Sequence, residues 1–280
     1  MTKKIIALVD GSTYSKSVCD HAAWIAERGD YAVELMHVLG RREGGAGSDL
    51  SGAISLGARS ALLEELSSLD EQRAKLSLTR GRAILEDAKA LLDAADVKAT
   101  EHLRHGDLIE AISEKEGSAE MILIGKRGEA ADFAKGHLGS NLERVVRAAS
   151  KPLFIASRAF QTIGRVLIAY DGSATTRRCV EMVCASPLLQ GLGCDVLTAG
   201  DASPEAQKHM DWALTTLREA GFSPEAVFQS GAADAVIADV AKARGGDLLV
   251  MGAYGHSRIR NMILGSTTTQ VLRSCLLPVL

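Results

Sequence analysis

The chain contains the same opening twice. Ile5-Ile6-Ala7-Leu8-Val9-Asp10-Gly11-Ser12 returns as Val166-Leu167-Ile168-Ala169-Tyr170-Asp171-Gly172-Ser173, and similar landmarks follow each copy in the same order. A strand-sized apolar run with the same Asp-Gly-Ser exit, repeated at long range, is the mark of a duplicated fold unit. Within 280 residues each copy has room for its own core, which predicts one domain over 1–158 and a second over 163–280.

Hydrophobic periodicity orders the elements inside each copy. The first half reads as a strand over 4–9, a helix over 14–28 and a strand over 32–38, followed by a glycine-rich, charged loop over 40–48. A long helical stretch over about 58–95 comes next, with Leu62, Leu66, Leu69 and Leu76 spaced by four, three and seven. Strands over 97–103, 121–124 and 153–156 alternate with helices over 108–115 and 141–149. The second half repeats the pattern with strands over 165–169, 194–198, 226–229, 248–251 and 277–280, and with a shorter second helix over 204–220. Strands alternating with helices predict an α/β fold: two tandem doubly wound domains, each a five-stranded parallel sheet flanked by helices. Asp10 and Asp171 are 161 residues apart but Gly125 and Gly252 only 127, so the first half carries 34 extra residues. They fall in a helical insertion at about 40–95, which is expected to lie over the other domain, over a partner subunit or in solvent.

Composition removes several functions. A formal net charge of -3 leaves no electrostatic footprint for nucleic acid or an anionic membrane, and 4% aromatic residues offer no base-stacking surface. The longest apolar runs are strand-sized, and Met1-Thr2-Lys3-Lys4 leads straight into a strand rather than a signal-peptide core, so the expected location is the cytoplasm. Five cysteines, Cys19, Cys179, Cys184, Cys194 and Cys275, form no C-x-x-C pair, which predicts reduced thiols and neither a disulfide framework nor a metal site.

The chemistry is concentrated in two glycine loops. After the fourth strand of the second half, Gly252 and Gly255 are followed nine residues later by Gly265-Ser266-Thr267, a G-x2-G-x9-G-S spacing. Glycines there let backbone approach a ribose and phosphates, and a helix start at Gly265, Ser266 and Thr267 offers free N–H groups and a positive dipole to an anion. Arg258 and Arg260 lie within reach of phosphate in sequence terms, as does His256, although each also reads as an ordinary solvated loop residue. In the first half Gly125-Lys126-Arg127-Gly128 is followed by ten residues before Gly139-Ser140, one too many, and the loop carries Glu129 and Asp132. Lys126, Arg127, Lys135 and His137 are the cations available to offset them.

These residues resemble the universal stress protein family, in its ATP-binding branch, over nearly the whole chain. The resemblance implies a five-stranded α/β domain in each half and an aspartate at the end of the first strand that contacts the adenosine end of a nucleotide. Asp171 matches it in the second half and Asp10 in the first, while the backbone that contacts adenine maps to Ala199 and Val38. The expected cofactor-binding set is therefore Asp171, Ala199, Gly252, Gly255, Gly265, Ser266 and Thr267. A weaker set is Asp10, Val38, Gly125, Gly128, Gly139 and Ser140. The competing reading of Asp171-Gly172-Ser173 is a turn that only caps a helix.

No G-x-x-x-x-G-K-[ST], no G-x-G-x-x-G after a first strand and no G-x-S-x-G occurs, which excludes a P-loop ATPase, a nicotinamide dinucleotide fold and a nucleophile elbow. No base is evident to position a water, so no catalytic residue and no metal ligand is assigned, and any ATP hydrolysis is expected to be slow. The leading expectation is a cytoplasmic stress-response protein that binds ATP, alone or with Mg2+, in its second domain and so alters its association with protein partners. The alternatives are an interaction scaffold that binds no nucleotide, a very slow ATPase, and a sensor of another adenine nucleotide. The last strands of the two halves are expected to face each other as an internal pseudo-dimer, with a homodimer built on the insertion as a further arrangement.

Overall fold

The computed structural model describes residues 3–40, 56–128, 139–253 and 265–280. In the first half β1 (Lys4–Leu8), β2 (Ala32–Leu39), β3 (Ala99–His105), β4 (Met121–Gly125) and β5 (Leu153–Ala156) form a parallel sheet in the order β3-β2-β1-β4-β5. The helices between them are α1 (Thr13–Gly29), α2 (Leu56–Asp93), α3 (Leu108–Glu116) and α4 (Ser140–Ala148). In the second half β6 (Arg165–Ala169), β7 (Gly193–Ala199), β8 (Pro224–Gln229) and β9 (Leu248–Val250) pair in the order β8-β7-β6-β9. Helices α5 (Ala174–Ala185), α6 (Pro204–Glu219), α7 (Ala233–Arg244) and α8 (Ser266–Ser274) connect and follow them.

The fifth position of the second sheet is held by single pairings rather than by a ladder. Val279 bridges Leu249 in parallel and Ile155 of β5 antiparallel, exchanging backbone hydrogen bonds with Ile155 at 2.7 and 3.0 Å. One short segment thus joins the two halves along the edge where their last strands were expected to meet. Its pairing is short because it is shared between two neighbours and because Pro278 has no N–H to give to a ladder.

Side chains alternate across the strands, as the pleat requires. Ile5, Ala7, Val9, Val166 and Ile168 face a core covered by α1, α2, α5 and α6, while Ile6, Leu8, Leu167 and Leu249 face a second core under α3, α4, α7 and α8. Each core draws residues from both halves, with Phe154, Ile163 and Leu188 filling the first near the junction. Further ties cross the junction: Arg28 donates to the Leu188 and Gln190 carbonyls at 2.8 and 2.7 Å, and the Ser17 hydroxyl donates to Ser157 O at 2.8 Å.

Two buried carboxylates repeat the symmetry. Glu34 on β2 meets Lys4 at 2.7 Å, Lys115 at 3.2 Å and His102 at 3.4 Å; Asp195, at the matching register of β7, lies 3.0 Å from both Arg165 and Arg244. Burial works to raise the Glu34 pKa, but hydrogen bonds from Lys4 and Lys115 and the charge of His102 outweigh it and hold the carboxyl below its ordinary range.

Candidate functional site

In both sheets the strand order reverses beside the first strand. β1 lies between β2 and β4, and β6 between β7 and β9, so a crevice opens beyond the carboxyl ends of β1/β4 and of β6/β9. Asp10 and Asp171 follow the strands that border these crevices.

In the second half the Asp171-Gly172-Ser173 turn is built by its own side chains. Asp171 Oδ1 accepts from the Ser173 N–H at 2.9 Å and the Thr176 hydroxyl at 2.8 Å, while the Ser173 hydroxyl accepts from the Thr176 N–H at 3.3 Å and caps α5. Gly172 takes φ +77°, a left-handed conformation, and a Cβ placed on it would stand 2.0 Å from His209 Nδ1 of α6. Asp171 therefore does make the turn that sequence logic offered as a competing reading, and it does so at the mouth of the crevice.

Gly252 lies across the switch point. A Cβ there would meet Thr175 Cγ2 at 2.7 Å, so the first turn of α5 packs directly on its backbone. The first half repeats this contact: a Cβ on Gly125 would meet Tyr14 Cβ at 2.7 Å. The leading glycine of each loop thus has an architectural duty in addition to any ligand contact. Gly265 differs, because its nearest neighbour to an added Cβ is Thr268 Oγ1 at 3.6 Å. It starts α8 without a side-chain cap, as Gly139 does for α4, whereas α1, α3, α5 and α6 each have a Ser or Asp cap. The Thr268 hydroxyl is turned back to Ala253 O at 2.9 Å and ties the two ends of the glycine loop together. Ser266 and Thr267 occupy the first turn of α8, and Ala199 ends β7, which pairs with β6 on the side away from β9. Gly255, His256, Arg258 and Arg260 lie outside the described residues.

The first-half turn is built in the same way. Asp10 Oδ1 accepts from the Ser12 N–H at 3.0 Å and the Ser15 hydroxyl at 3.2 Å, and a Cβ on Gly128 would lie 2.7 Å from Asp10 Oδ2. Ile84 of α2 presses on Gly11, and Val38 lies near the end of β2 with Gly139 and Ser140 opening α4. Glu129, Asp132, Lys135 and His137 lie outside the described residues. Lys126 does not serve the loop as sequence reasoning expected. Only 8% exposed, it turns away and donates to the carbonyls of Cys275 and, at 2.7 Å, Leu277. Burial lowers its pKa below the ordinary lysine value. The carbonyls at the C-terminal end of α8 attract the ammonium more strongly than a solvated loop does.

Several residues beside the second crevice were not visible in the motif. Tyr170 is buried, stacks on Trp212 with ring centroids 6.4 Å apart and has no hydrogen-bond partner for its hydroxyl among the described residues; burial raises its pKa. Arg177 donates through Nε to Gly172 O at 3.1 Å and lies 4.8 Å from the Trp212 ring centroid. The Thr198 hydroxyl donates to Tyr170 O at 2.9 Å, in the place where His37 Nδ1 donates to Val9 O at 2.7 Å in the first half. The 161-residue offset between His37 and Thr198 was the available signal. A cavity of about 390 Å³ between α2 and β3, lined by Arg82, Glu101 and His105, lies two strands away from the first switch point and belongs to neither crevice.

Two parallel sheets, each with an Asp-Gly-Ser turn and a glycine loop facing across its switch point, define a tandem doubly wound α/β protein. The chain belongs to the universal stress protein family, whose model matches residues 1–157 and 195–280. It is 37% identical over 283 residues to universal stress protein Slr1230 of Synechocystis sp. (strain ATCC 27184 / PCC 6803 / Kazusa), covering 99% of both chains. The fold is also that of a universal stress protein from Archaeoglobus fulgidus DSM 4304, with TM-score 0.68, 20% identity and coverage of 99% and 96%. A putative universal stress protein from Pseudomonas aeruginosa UCBPP-PA14 superposes with TM-score 0.62 at 17% identity, covering 99% and 92%.

Proposed function

We propose that the chain is a cytoplasmic universal stress protein of two domains, 1–158 and 163–280, in which the second domain binds an adenine nucleotide and the bound state alters association with protein partners. The observation that carries this reading is that Asp171 follows β6 and the glycine loop follows β9, its neighbour across the switch point, with the loop leading to an α8 that starts without a side-chain cap. Asp171 would hold ribose or adenine polar groups beside the backbone near Ala199. The Gly265, Ser266 and Thr267 N–H groups would hold phosphate oxygens. ATP fits this donor set, alone or with Mg2+ on its phosphates. The first domain is assigned an architectural role, because its glycine loop is one residue longer than that of the second and carries Glu129 and Asp132.

The test is purification without added nucleotide, heat release and chromatographic identification of any adenine compound with its molar ratio to chain. One equivalent supports the second site alone, and two reassign the first. Asp171→Asn, which keeps an acceptor for the turn but removes the charge, and Gly265→Val, where an added Cβ makes only an ordinary contact with Thr268 Oγ1 at 3.6 Å among the described residues, should each weaken adenine nucleotide binding at least tenfold. Unchanged binding in both sinks the assignment. The architectural contacts at Gly172 and Gly252 favour one competing reading, a scaffold that binds no nucleotide. Absence of bound adenine, with no thermal stabilisation by Mg-ATP, would select it.

A further inference from the structure

The glycine loop of the first half and the candidate site of the second are joined by one helix. α8 starts at Ser266 and Thr267, and its far end is reached by Lys126, the residue after the leading glycine of the first-half loop. The Lys126 ammonium donates to the carbonyl of Cys275, the C-cap of α8, and at 2.7 Å to that of Leu277. The Cys275 carbonyl lies at the negative end of the helix dipole, where a cation is favoured. The main chain of Lys126 is fixed in the first half. Its N–H donates to Ala156 O of β5 at 3.2 Å, and a Cβ added to Gly139, at the start of α4, would stand 3.7 Å from Lys126 O. The lysine is therefore anchored in one sheet while its side chain crosses the junction.

α8 is braced at both ends. Near its start the Thr268 hydroxyl donates to Ala253 O at 2.9 Å, and Thr268, Val271 and Leu272 bury one face, with α7 packed alongside. One buried face resists lifting of a helix better than sliding along its axis, and Lys126 supplies the restraint at the other end. Nine residues at 1.5 Å rise place that restraint about 13 Å from the N–H groups at the helix start. Donors that the fold already holds in position cost a ligand no ordering on binding, so restraint of α8 is converted into phosphate affinity. The brace runs in one direction only. Ala253 stands 127 residues beyond Lys126, in the equivalent place of the second loop, and an alanine side chain has no donor to offer the end of α4.

We infer that Lys126 is a positioning residue for the nucleotide site of the other domain: by fastening the far end of α8 to the first sheet, it fixes the phosphate-facing start of that helix and couples occupancy of the site to the junction between the halves. This inference rests on the reading of Gly265, Ser266 and Thr267 as phosphate donors. It gives the first-half loop a task that requires no nucleotide of its own.

Titration calorimetry with ADP and with adenosine, on wild type and on Lys126→Met, tests it. A restraint on the phosphate helix acts on the phosphates, so the substitution should raise the Kd for ADP at least about fivefold and that for adenosine less than about twofold. Coupling is reciprocal, which gives a second measurement that needs no substitution and stands even where Lys126→Met fails to fold. In the wild-type chain, residue-resolved hydrogen exchange at saturating ADP should slow at the Lys126 and Ile155 amides, which donate to Ala156 O and Val279 O at the junction. It should not slow at the Val33 amide, which donates to Lys98 O on the far side of the first sheet. A wild-type chain that binds no ADP or ATP removes the nucleotide reading and this inference with it. Where wild type does bind ADP, four results leave that reading standing and overturn the positioning role: unchanged ADP affinity in folded Lys126→Met, an equal loss for ADP and adenosine, no slowing at the junction, or slowing that reaches Val33 equally.

Discussion

Replacing Lys126 by Met tests how the two halves are held together. The Lys126 ammonium is buried and spans the halves to the carbonyls of Cys275 and Leu277. Methionine preserves most of the apolar stem but leaves both carbonyls without their donor. Hydrogen bonds to a charged group contribute roughly 1.5–3 kcal/mol each, and unsatisfied buried acceptors cost about 1–3 kcal/mol. Relief of the ammonium's desolvation, which already lowers its pKa, offsets part of the loss. The net expected destabilisation is about 2–4 kcal/mol, which corresponds to a fall in Tm of very roughly 5–15 °C for a chain of this size. Calorimetry of the intact chain should show this fall, with the second half, whose last strand position is held by Val279, melting before the first. Arg127→Met on the same loop, at a partly exposed side chain, should change stability by less than about 0.5 kcal/mol. A Lys126→Met protein within about 1 kcal/mol of wild type would refute the view that this lysine clamps α8 to the first half.

Further outcomes follow from the same geometry. Gly172→Ala meets both a positive φ and His209, and should lower stability by more than about 2 kcal/mol in chemical denaturation, whereas Gly265→Ala should cost under about 1 kcal/mol. His21 is buried with its ring against Phe154 and Phe160, and burial lowers its pKa below 6.5 despite the acceptor at Ser17 O. The unfolded chain therefore takes up the proton first, so stability is lost as pH falls below 6.5, by at most about 1.4 kcal/mol per pH unit. His21→Leu should flatten that part of a Tm-against-pH curve, and an unchanged slope would count against it. Glu34 has the opposite window: its carboxyl titrates below 4.5 in the fold, so its contribution is present above 4.5 and is lost as pH falls through the lower folded value. Glu34→Gln should remove that acid-side loss. Burial pushes the Cys19 and Cys194 thiols up to about 12 and Cys179 up to about 11, so native protein at neutral pH should resist alkylation at all three; rapid labelling by mass spectrometry would contradict this.

The duplication and most of the fold are properties of local sequence. Apolar runs of strand length separated by 3.6-period segments determine β1 to β9 and their helices to within a few residues, because those periods report which face is buried whatever the neighbours are. The Asp-Gly-Ser turns were legible for the same reason, since Asp, Gly and Ser carry their turn and cap chemistry with them. Other features depended on residues remote in sequence. Nothing near Lys126 announces that its partners are Cys275 and Leu277, and the motif alone does not tell that Gly252 makes room for Thr175 while a Cβ on Gly265 would only touch Thr268. Tyr170, Trp212 and Arg177 join the second crevice only because α6 crosses α5 there. The last strand, read as five-stranded pairing from its apolar run, became a shared bridge because Val279 serves Leu249 and Ile155 together. Periodicity and turn chemistry are local and survive in the unfolded chain; burial, close approach and a cation's choice of carbonyls exist only once distant segments have been brought into contact.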